Sequence, residues 1–222
     1  MSRFYAALAS VISSGPCSFK TVLFTIMSRT DQLREELGTP SRTARSKIEN
    51  YLVPFVKNFI ARSPFAVLAT SDADGNCDAS PKGGRPGFIK VVDDHTLLIP
   101  DLGGNRLFQS YANVEGNAKA GLVFMIPGQD ITVRVNGSVD TVDRDEVGAM
   151  GVEPEVYRAD KNTNMVQGLL LRVDESYFHC ARSMMFSDLW NTHNIEANRR
   201  IKLSDELPNA TPAAAEKEEL TD

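Results

Sequence analysis

The stretch SPKGGRPGFIKVVDDHTLLIPDLGGNRLFQSYANV, residues 80–114, carries the pattern that decides the fold of this chain. Within it, two apolar runs at residues 87–92 and 96–100 flank the short polar segment 93–95, which predicts a tight β-hairpin. Residues 104–114 then place apolar side chains at helical spacing. We expect that helix to bury three residues: Leu107, Phe108 and Tyr111.

Further short apolar runs lie on both sides of this stretch. Residues 65–72 and 77–80 are separated by a turn with Asp-Gly at positions 74–75, which is a strong hairpin signal. Residues 130–143 begin with alternating apolar and polar side chains, as a half-buried antiparallel strand does. The other runs are 118–127 and 168–176. Many short strands with tight turns predict a mainly β fold, as a closed or nearly closed antiparallel barrel with flanking helices.

One helix is expected before the first strand. Residues 46–64 show an apolar stripe at helical spacing, and Ser46 with Glu49 would form a capping box at its start. Pro54 lies inside this segment and should kink the helix or mark a break. Two shorter elements are expected further along: a helix at 144–151 and a strand turning into a helix at 176–190.

Composition limits the classes of protein to consider. The 222 residues are enough for one substantial domain, and the formal charge is 24 − 29 = −5. This acidity argues against broad nucleic-acid binding, which calls for a basic surface. The three cysteines are far apart and lack CxxC spacing, so we predict no disulfide framework and no metal site. We expect a cytoplasmic protein with neither a membrane nor a nucleic acid as partner.

The two ends of the chain are expected to lie outside the folded domain. Residues 1–27 lack Asp and Glu and contain Ser, Arg and Lys, which fits either an over-long gene start or an organellar targeting segment. Residues 206–222 combine Pro, Ala and acidic residues and should form a disordered acidic tail. Residues 28–205 are therefore predicted to form a single domain.

Cations cluster around the glycines and prolines of the opening stretch. Arg106 would lie in the first turn of the predicted helix, where free N–H groups and the helix dipole favour an anion. The hairpin would bring Arg85 and Lys90 beside that helix start. Two interpretations remain open: the cations form a phosphate site, or they are solvated residues that keep an acidic domain soluble.

The segments RPGFIK, residues 85–90, and IPDLGGNR, residues 99–106, resemble the FMN-binding core of the pyridoxamine 5′-phosphate oxidase-like family. The resemblance covers about residues 45–190. It implies a split antiparallel β-barrel, FMN as cofactor, and a homodimer with FMN at the subunit interface.

The resemblance also implies which residues bind the cofactor. Residues at matching motif positions are Arg85, Phe88, Lys90, Ile99, Pro100, Asn105, Arg106 and Thr132. Asn105 stands where the family often has Arg, and we expect Lys82 to replace the missing cation. Arg182 and Ser183 would reach FMN from the partner subunit.

The departures from the family pattern bear on function. The chain lacks the Arg-Leu-His element of the vitamin B6 oxidase, so it is more similar to a different FMN-binding branch. It also lacks a Ser-His-Asp elbow, a P-loop and a Rossmann glycine pattern, and no catalytic residue is assigned. We expect an FMN-dependent oxidoreductase acting on a small organic substrate. The alternative is non-catalytic binding of a flavin or haem for storage or sensing.

Overall fold

The computed structural model describes residues 28–104, 106–161 and 163–203. The chain divides into two units, Met1–Ser41 and Arg42–Asp222. In the first unit, helix α1 (Arg29–Leu37) begins after Ser28, whose side-chain oxygen accepts a hydrogen bond from the Asp31 N–H. The predictions for residues 1–27 and 206–222 lie outside the described residues.

The second unit contains the remaining elements. Its helices are α2 (Arg42–Ser46), α3 (Pro54–Arg62), α4 (Gln109–Gly116), α5 (Arg144–Ala149), α6 (Arg182–Ser187) and α7 (Thr192–Asn198). Its strands are β1 (Phe65–Ser71), β2 (Cys77–Gly83), β3 (Lys90–Asp93), β4 (Thr96–Leu102), β5 (Lys119–Met125), β6 (Thr132–Asp143) and β7 (Met165–His179). Among the described residues, no helix is long and apolar enough to span a bilayer.

The described strands form one seven-stranded antiparallel sheet in the order β2-β1-β5-β6-β7-β4-β3. Alternate side chains point inward, so Leu68, Leu122 and Val135 are fully buried in one core that α3 and α4 also contact. The prediction of a mainly β fold with flanking helices, arranged as a split antiparallel β-barrel, is confirmed.

The split lies between β2 and the second half of β4. Strand β3 pairs only with residues 96–98 of β4. Beyond that point Lys82 of β2 reaches Asp101 of β4, with 3.0 Å between the ammonium nitrogen and a carboxylate oxygen. The two ends of the sheet therefore meet through side chains rather than through a hydrogen-bonded ladder.

The helix predicted at 46–64 is shorter than expected. Helix α3 begins at Pro54, because proline fits the first helical position, where its missing N–H removes no helical hydrogen bond. Ser46 instead ends α2, so it does not cap α3. Glu49 joins the sheet by a main-chain bridge to Ser176. The predicted capping box was wrong, and of the two expectations for Pro54, a kink or a break, the structure has the break.

The helix predicted at 104–114 also begins later, at Gln109. Arg106 and Phe108 precede it with φ angles of 64° and 50°, in the left-handed region that interrupts a helix. Tyr111 is buried as predicted, whereas Leu107 and Phe108 are 70% and 48% exposed. The prediction for those two residues was wrong because their backbone belongs to the preceding loop.

Candidate functional site

An open cavity of about 380 Å³ lies where the barrel splits. Residues 78–82 of β2 form one wall, and Asp101 and Leu102 of β4 form another. Gly104 and residues 106–111, which lead into α4, complete the lining among the described residues. The volume falls within the range of about 300–1,000 Å³ that is usual for small-molecule sites.

Lys82 and Asp101 form an ion pair at the floor of this cavity. Their side chains are only 16% and 22% exposed, so water screens the pair less than a surface pair. The ammonium group can donate three hydrogen bonds, and the contact with Asp101 uses one of them. Lys82 is therefore held in place and keeps donor capacity for a ligand.

Arg106 lies in the loop that borders the same cavity. Its side chain is exposed, and no carboxylate of the described residues lies within ion-pair distance of it. The left-handed backbone costs free energy for a residue with a side chain, on the order of 1 kcal/mol. Strain retained beside a cavity is a common feature of ligand sites.

The start of α4 forms the next part of the lining. Phe108, which precedes the first helical residue, makes no side-chain capping hydrogen bond. The Ser110 hydroxyl donates a 2.7 Å hydrogen bond to the carboxylate of Asp78 on β2. Both carboxylates of the cavity, Asp78 and Asp101, are thus engaged by protein groups, which leaves Arg106 as an available cation.

Tyr111 places a buried hydroxyl at the base of the cavity. Its oxygen is inaccessible to water and has no hydrogen-bond partner of normal geometry among the described residues. Burial first, and then the negative charge of nearby Asp101, raise the pKa of Tyr111 far above its usual value. The hydroxyl therefore remains protonated at neutral pH and cannot act as a base there.

A second, smaller cavity of about 190 Å³ adjoins the first, and Lys82 and Asp101 line both. Phe88 and Pro100 lie on one side of it, and residues 154–156 cover the other. This covering segment can approach because Gly84 has no side chain. A Cβ atom there would overlap the Glu155 carbonyl oxygen and Phe88.

The covering segment also engages two of the predicted cations. The Lys90 ammonium lies 3.3 Å from a carboxylate oxygen of Glu155, whose carbonyl accepts a 2.7 Å hydrogen bond from the Arg85 N–H. The Arg85 guanidinium lies over the ring of Tyr157 at 5.7 Å. Arg85 sits in a turn rather than on a strand, and neither cation lines the larger cavity.

The predicted site residues therefore fall into separate groups. Lys82 and Arg106 share the larger cavity, whereas Phe88 and Pro100 line the smaller one with Lys82. Ile99 is buried in the barrel core. The residues found elsewhere are Thr132 at the start of β6, opposite His179, and Arg182 and Ser183 on α6. Asn105 lies outside the described residues.

Sequence reasoning missed several residues of the site. Asp101 follows directly on the predicted strand-end pair, so its position in IPD was a usable signal. Ser110 and Tyr111 were placed on the helix, but the short distance from that helix to β2 could not be read from the pattern. Glu155 gave no signal, because it lies 65 residues from Lys90. In the described part of the chain, no cluster of His, Cys, Asp and Glu could hold a metal ion.

These features define a split antiparallel β-barrel with a cation-bearing cavity at the split. The family model described as pyridoxamine 5′-phosphate oxidase matches residues 52–180, and the chain belongs to this family. No curated protein matches the chain.

Solved structures with similar folds were also found. A histidine-to-alanine variant of HupZ of Group A Streptococcus is 19% identical, with 58% of this chain and 99% of that chain covered and a TM-score of 0.43. A pyridoxamine 5′-phosphate oxidase-related, FMN binding protein from Nostoc punctiforme is 11% identical, with 53% and 74% covered and a TM-score of 0.35. HutZ of Vibrio cholerae, described as a haem storage protein, is 15% identical, with 58% and 93% covered and a TM-score of 0.37.

Proposed function

We propose that this protein is an FMN-dependent oxidoreductase that acts on a small organic substrate. The observation that carries the proposal is the arrangement of Lys82 and Arg106 around one cavity at the start of α4. Membership of the pyridoxamine 5′-phosphate oxidase family supports FMN as the cofactor.

The residues of the cavity fit a phosphate group. Lys82 retains ammonium protons, and Arg106 has a planar guanidinium that can donate two hydrogen bonds to one phosphate. The residues that open α4 also line the cavity, and the first N–H groups of a helix favour an anion. Lys82 and Arg106 would therefore hold the FMN phosphate, with Asn105 as a further proposed contact.

The other predicted residues would act beside this phosphate site. Phe88 and Pro100 line the adjoining cavity and would pack against the bound cofactor, with Ile99 supporting them from the core. Lys90 and Arg85 would reach the cofactor only if Glu155 and Tyr157 release them. FMN held by these residues would supply hydride-transfer chemistry between two small molecules.

A homodimer with FMN at the interface is part of this proposal. Helix α6 buries none of its residues, and its Met185 and Phe186 are 64% and 74% exposed. Large exposed apolar side chains are typical of interaction surfaces. We propose that α6 packs on a second copy and brings Arg182 and Ser183 to the cofactor, with Thr132 of β6 as a further proposed contact. Light scattering of the purified protein should give twice the monomer mass; a monomer that binds FMN would contradict this part.

Titration with FMN tests the cofactor directly. The wild-type protein should quench FMN fluorescence on binding, and Arg106→Gln should weaken binding by about tenfold or more, since one charge-assisted contact contributes about 1.5–3 kcal/mol. Arg172→Gln is the matched control, because Arg172 of β7 forms an exposed ion pair with Asp140 of β6. Equal dissociation constants for all three proteins would remove Arg106 from the site.

Measurement of turnover distinguishes an enzyme from a protein that binds FMN without catalysis. With FMN bound, the protein should oxidise reduced nicotinamide faster than an equal concentration of free FMN. A protein that binds FMN tightly without such an increase, with any electron acceptor tested, would favour the alternative of cofactor binding for storage or sensing.

A further inference from the structure

Four side chains meet on the outer face of the barrel, away from the cavity at the split. Arg134 of β6 and Tyr177 of β7 are register partners, and the guanidinium donates a 3.2 Å hydrogen bond to the tyrosine hydroxyl. Lys47, which precedes α3, places its ammonium 5.7 Å from the centre of the same ring. His179 lies two residues after Tyr177, with 4.9 Å between the ring centres. We call these four residues the outer-face cluster.

The two cations of this cluster have no acidic partner among the described residues. Lys47 donates to the main-chain carbonyl of Phe178 at 3.0 Å, and Arg134 donates only to Tyr177. The carboxylates along this part of β7 are engaged elsewhere: Asp174 with Lys119, and Glu175 with Asn136. These two positive charges are held around one ring without a counter-charge. On a half-buried surface, this arrangement costs free energy.

His179 adds a second unsatisfied feature. Its Nε2 atom is buried and lacks a hydrogen-bond partner in the described structure. Burial first, and then the positive charges of Arg134 and Lys47, lower the pKa of its imidazole below the usual value. Arg182 on the neighbouring helix α6 does not add to these interactions, since its guanidinium lies over Phe186 at 4.9 Å. The imidazole is therefore an unpaired polar group beside two unpaired cations.

We propose that the outer-face cluster is a second ligand site, which binds the oxyanion of a small organic molecule, a carboxylate or a phosphate ester. An oxyanion would accept hydrogen bonds from Lys47 and Arg134, and its charge would offset their mutual repulsion. It would also favour the protonated imidazole of His179, whose Nε2–H could then donate to it. The aromatic ring of Tyr177, which Lys47 already contacts, would face the apolar part of the ligand.

This site is separate from the cavity proposed for the FMN phosphate, although Thr132, a proposed cofactor contact, is the register partner of His179. Lys82 lies on β2 and Arg134 on β6, and strands β1 and β5 separate them. The residues of the cluster do not line either cavity at the split. The two proposals can therefore fail separately.

Histidine titration by NMR tests the outer-face cluster in the full chain. The protein has three histidines, so His95 and His193 serve as internal controls for His179. At constant ionic strength, replacing sodium chloride by inorganic phosphate or by sodium acetate should raise the pKa of His179 alone. A response to phosphate only indicates a phosphate ester, whereas a response to both indicates that a carboxylate is sufficient. Equal pKa values of His179 in all three salts would overturn the proposal.

Substitutions in the outer-face cluster test the proposal further. Arg134→Gln should raise the pKa of His179 in chloride, because one positive charge is removed, and should weaken its phosphate response about tenfold. Arg134→Lys should keep most of the response, and Lys47→Gln offers a variant outside the sheet if Arg134→Gln does not fold. Arg106→Gln should leave the response of His179 intact while it weakens FMN binding. A phosphate response that survives in both Arg134→Gln and Lys47→Gln would exclude the cluster.

Discussion

The ammonium group of Lys82 lies 3.0 Å from the carboxylate of Asp101, and this contact joins the two sides of the split in the barrel. The pair also borders both cavities, so the same contact contributes to closing the sheet and to shaping the candidate site. We therefore expect stability and the proposed cofactor binding to be coupled at these two residues.

Lys82→Gln should affect both properties. It leaves Asp101 without its partner, which should destabilise the fold by about 1–3 kcal/mol, and it should weaken FMN binding about tenfold or more. Lys57→Gln is the matched control, because Lys57 pairs with Asp94 on the exposed surface. Chemical denaturation and FMN titration measure the two effects. If Lys82→Gln behaves like Lys57→Gln in both, the pair has neither role.

Arg106 should show opposite effects on stability and binding. Arg106→Gly relieves the strain of a left-handed backbone and should stabilise the protein by up to about 1 kcal/mol, yet it removes a proposed phosphate contact and should weaken FMN binding. Arg106→Gln keeps the strain and should weaken binding without the gain in stability. Denaturation midpoints and FMN dissociation constants decide this, and tighter binding by Arg106→Gly would contradict the assignment.

Gly84→Ala should destabilise the covering segment. The added Cβ would overlap the Glu155 carbonyl and Phe88, so we expect a loss of about 1–3 kcal/mol. Gly148→Ala is the control: it lies in α5 with open space around it and should be neutral or stabilising. Thermal unfolding compares the two. Equal melting temperatures would mean that residues 154–156 can move aside without a loss of stability.

Tyr111→Phe should lose little or no stability at neutral pH, because the hydroxyl that it removes is buried and has no hydrogen bond of normal geometry among the described residues. The pKa of Tyr111 is raised in the folded state, so its contribution to stability is complete below pH 10, the unfolded value, and declines as the pH rises above it. Wild type should therefore lose more stability than Tyr111→Phe above about pH 10. Denaturation at neutral and alkaline pH measures this, and a large loss for Tyr111→Phe at pH 7 would show that the hydroxyl is bonded.

The strands could be predicted from the sequence because their signals are local. Alternation in residues 130–143 and the turns at 74–75 and 93–95 depend on neighbours in the chain, and these strands form. Helix starts were predicted less well. Pro54 is compatible with a kink or a first turn, and only packing selects between them. Neither Arg106 nor Phe108 is a glycine, so the sequence did not indicate that their backbone would be left-handed.

The candidate site was also predicted only in part, because some of its contacts join residues that are close in the sequence and others join distant ones. Lys82 and Arg106 come together as expected, because a short hairpin separates the strands and loop that carry them. Glu155 attracts Lys90 from a distant part of the chain, so an ion pair competes with the predicted ligand contact. The outer-face cluster depends on pairing between β6 and β7, which are more than 20 residues apart in the sequence.

Two prolines stand on the strands that flank the split, Pro81 on β2 and Pro100 on β4. Proline has no N–H to donate, so neither strand offers a complete row of donors along its length. The two strands are thereby hindered from joining edge to edge, and also from recruiting a strand of another molecule. The gap at the split is thus hindered by the backbone itself from closing and from joining another molecule.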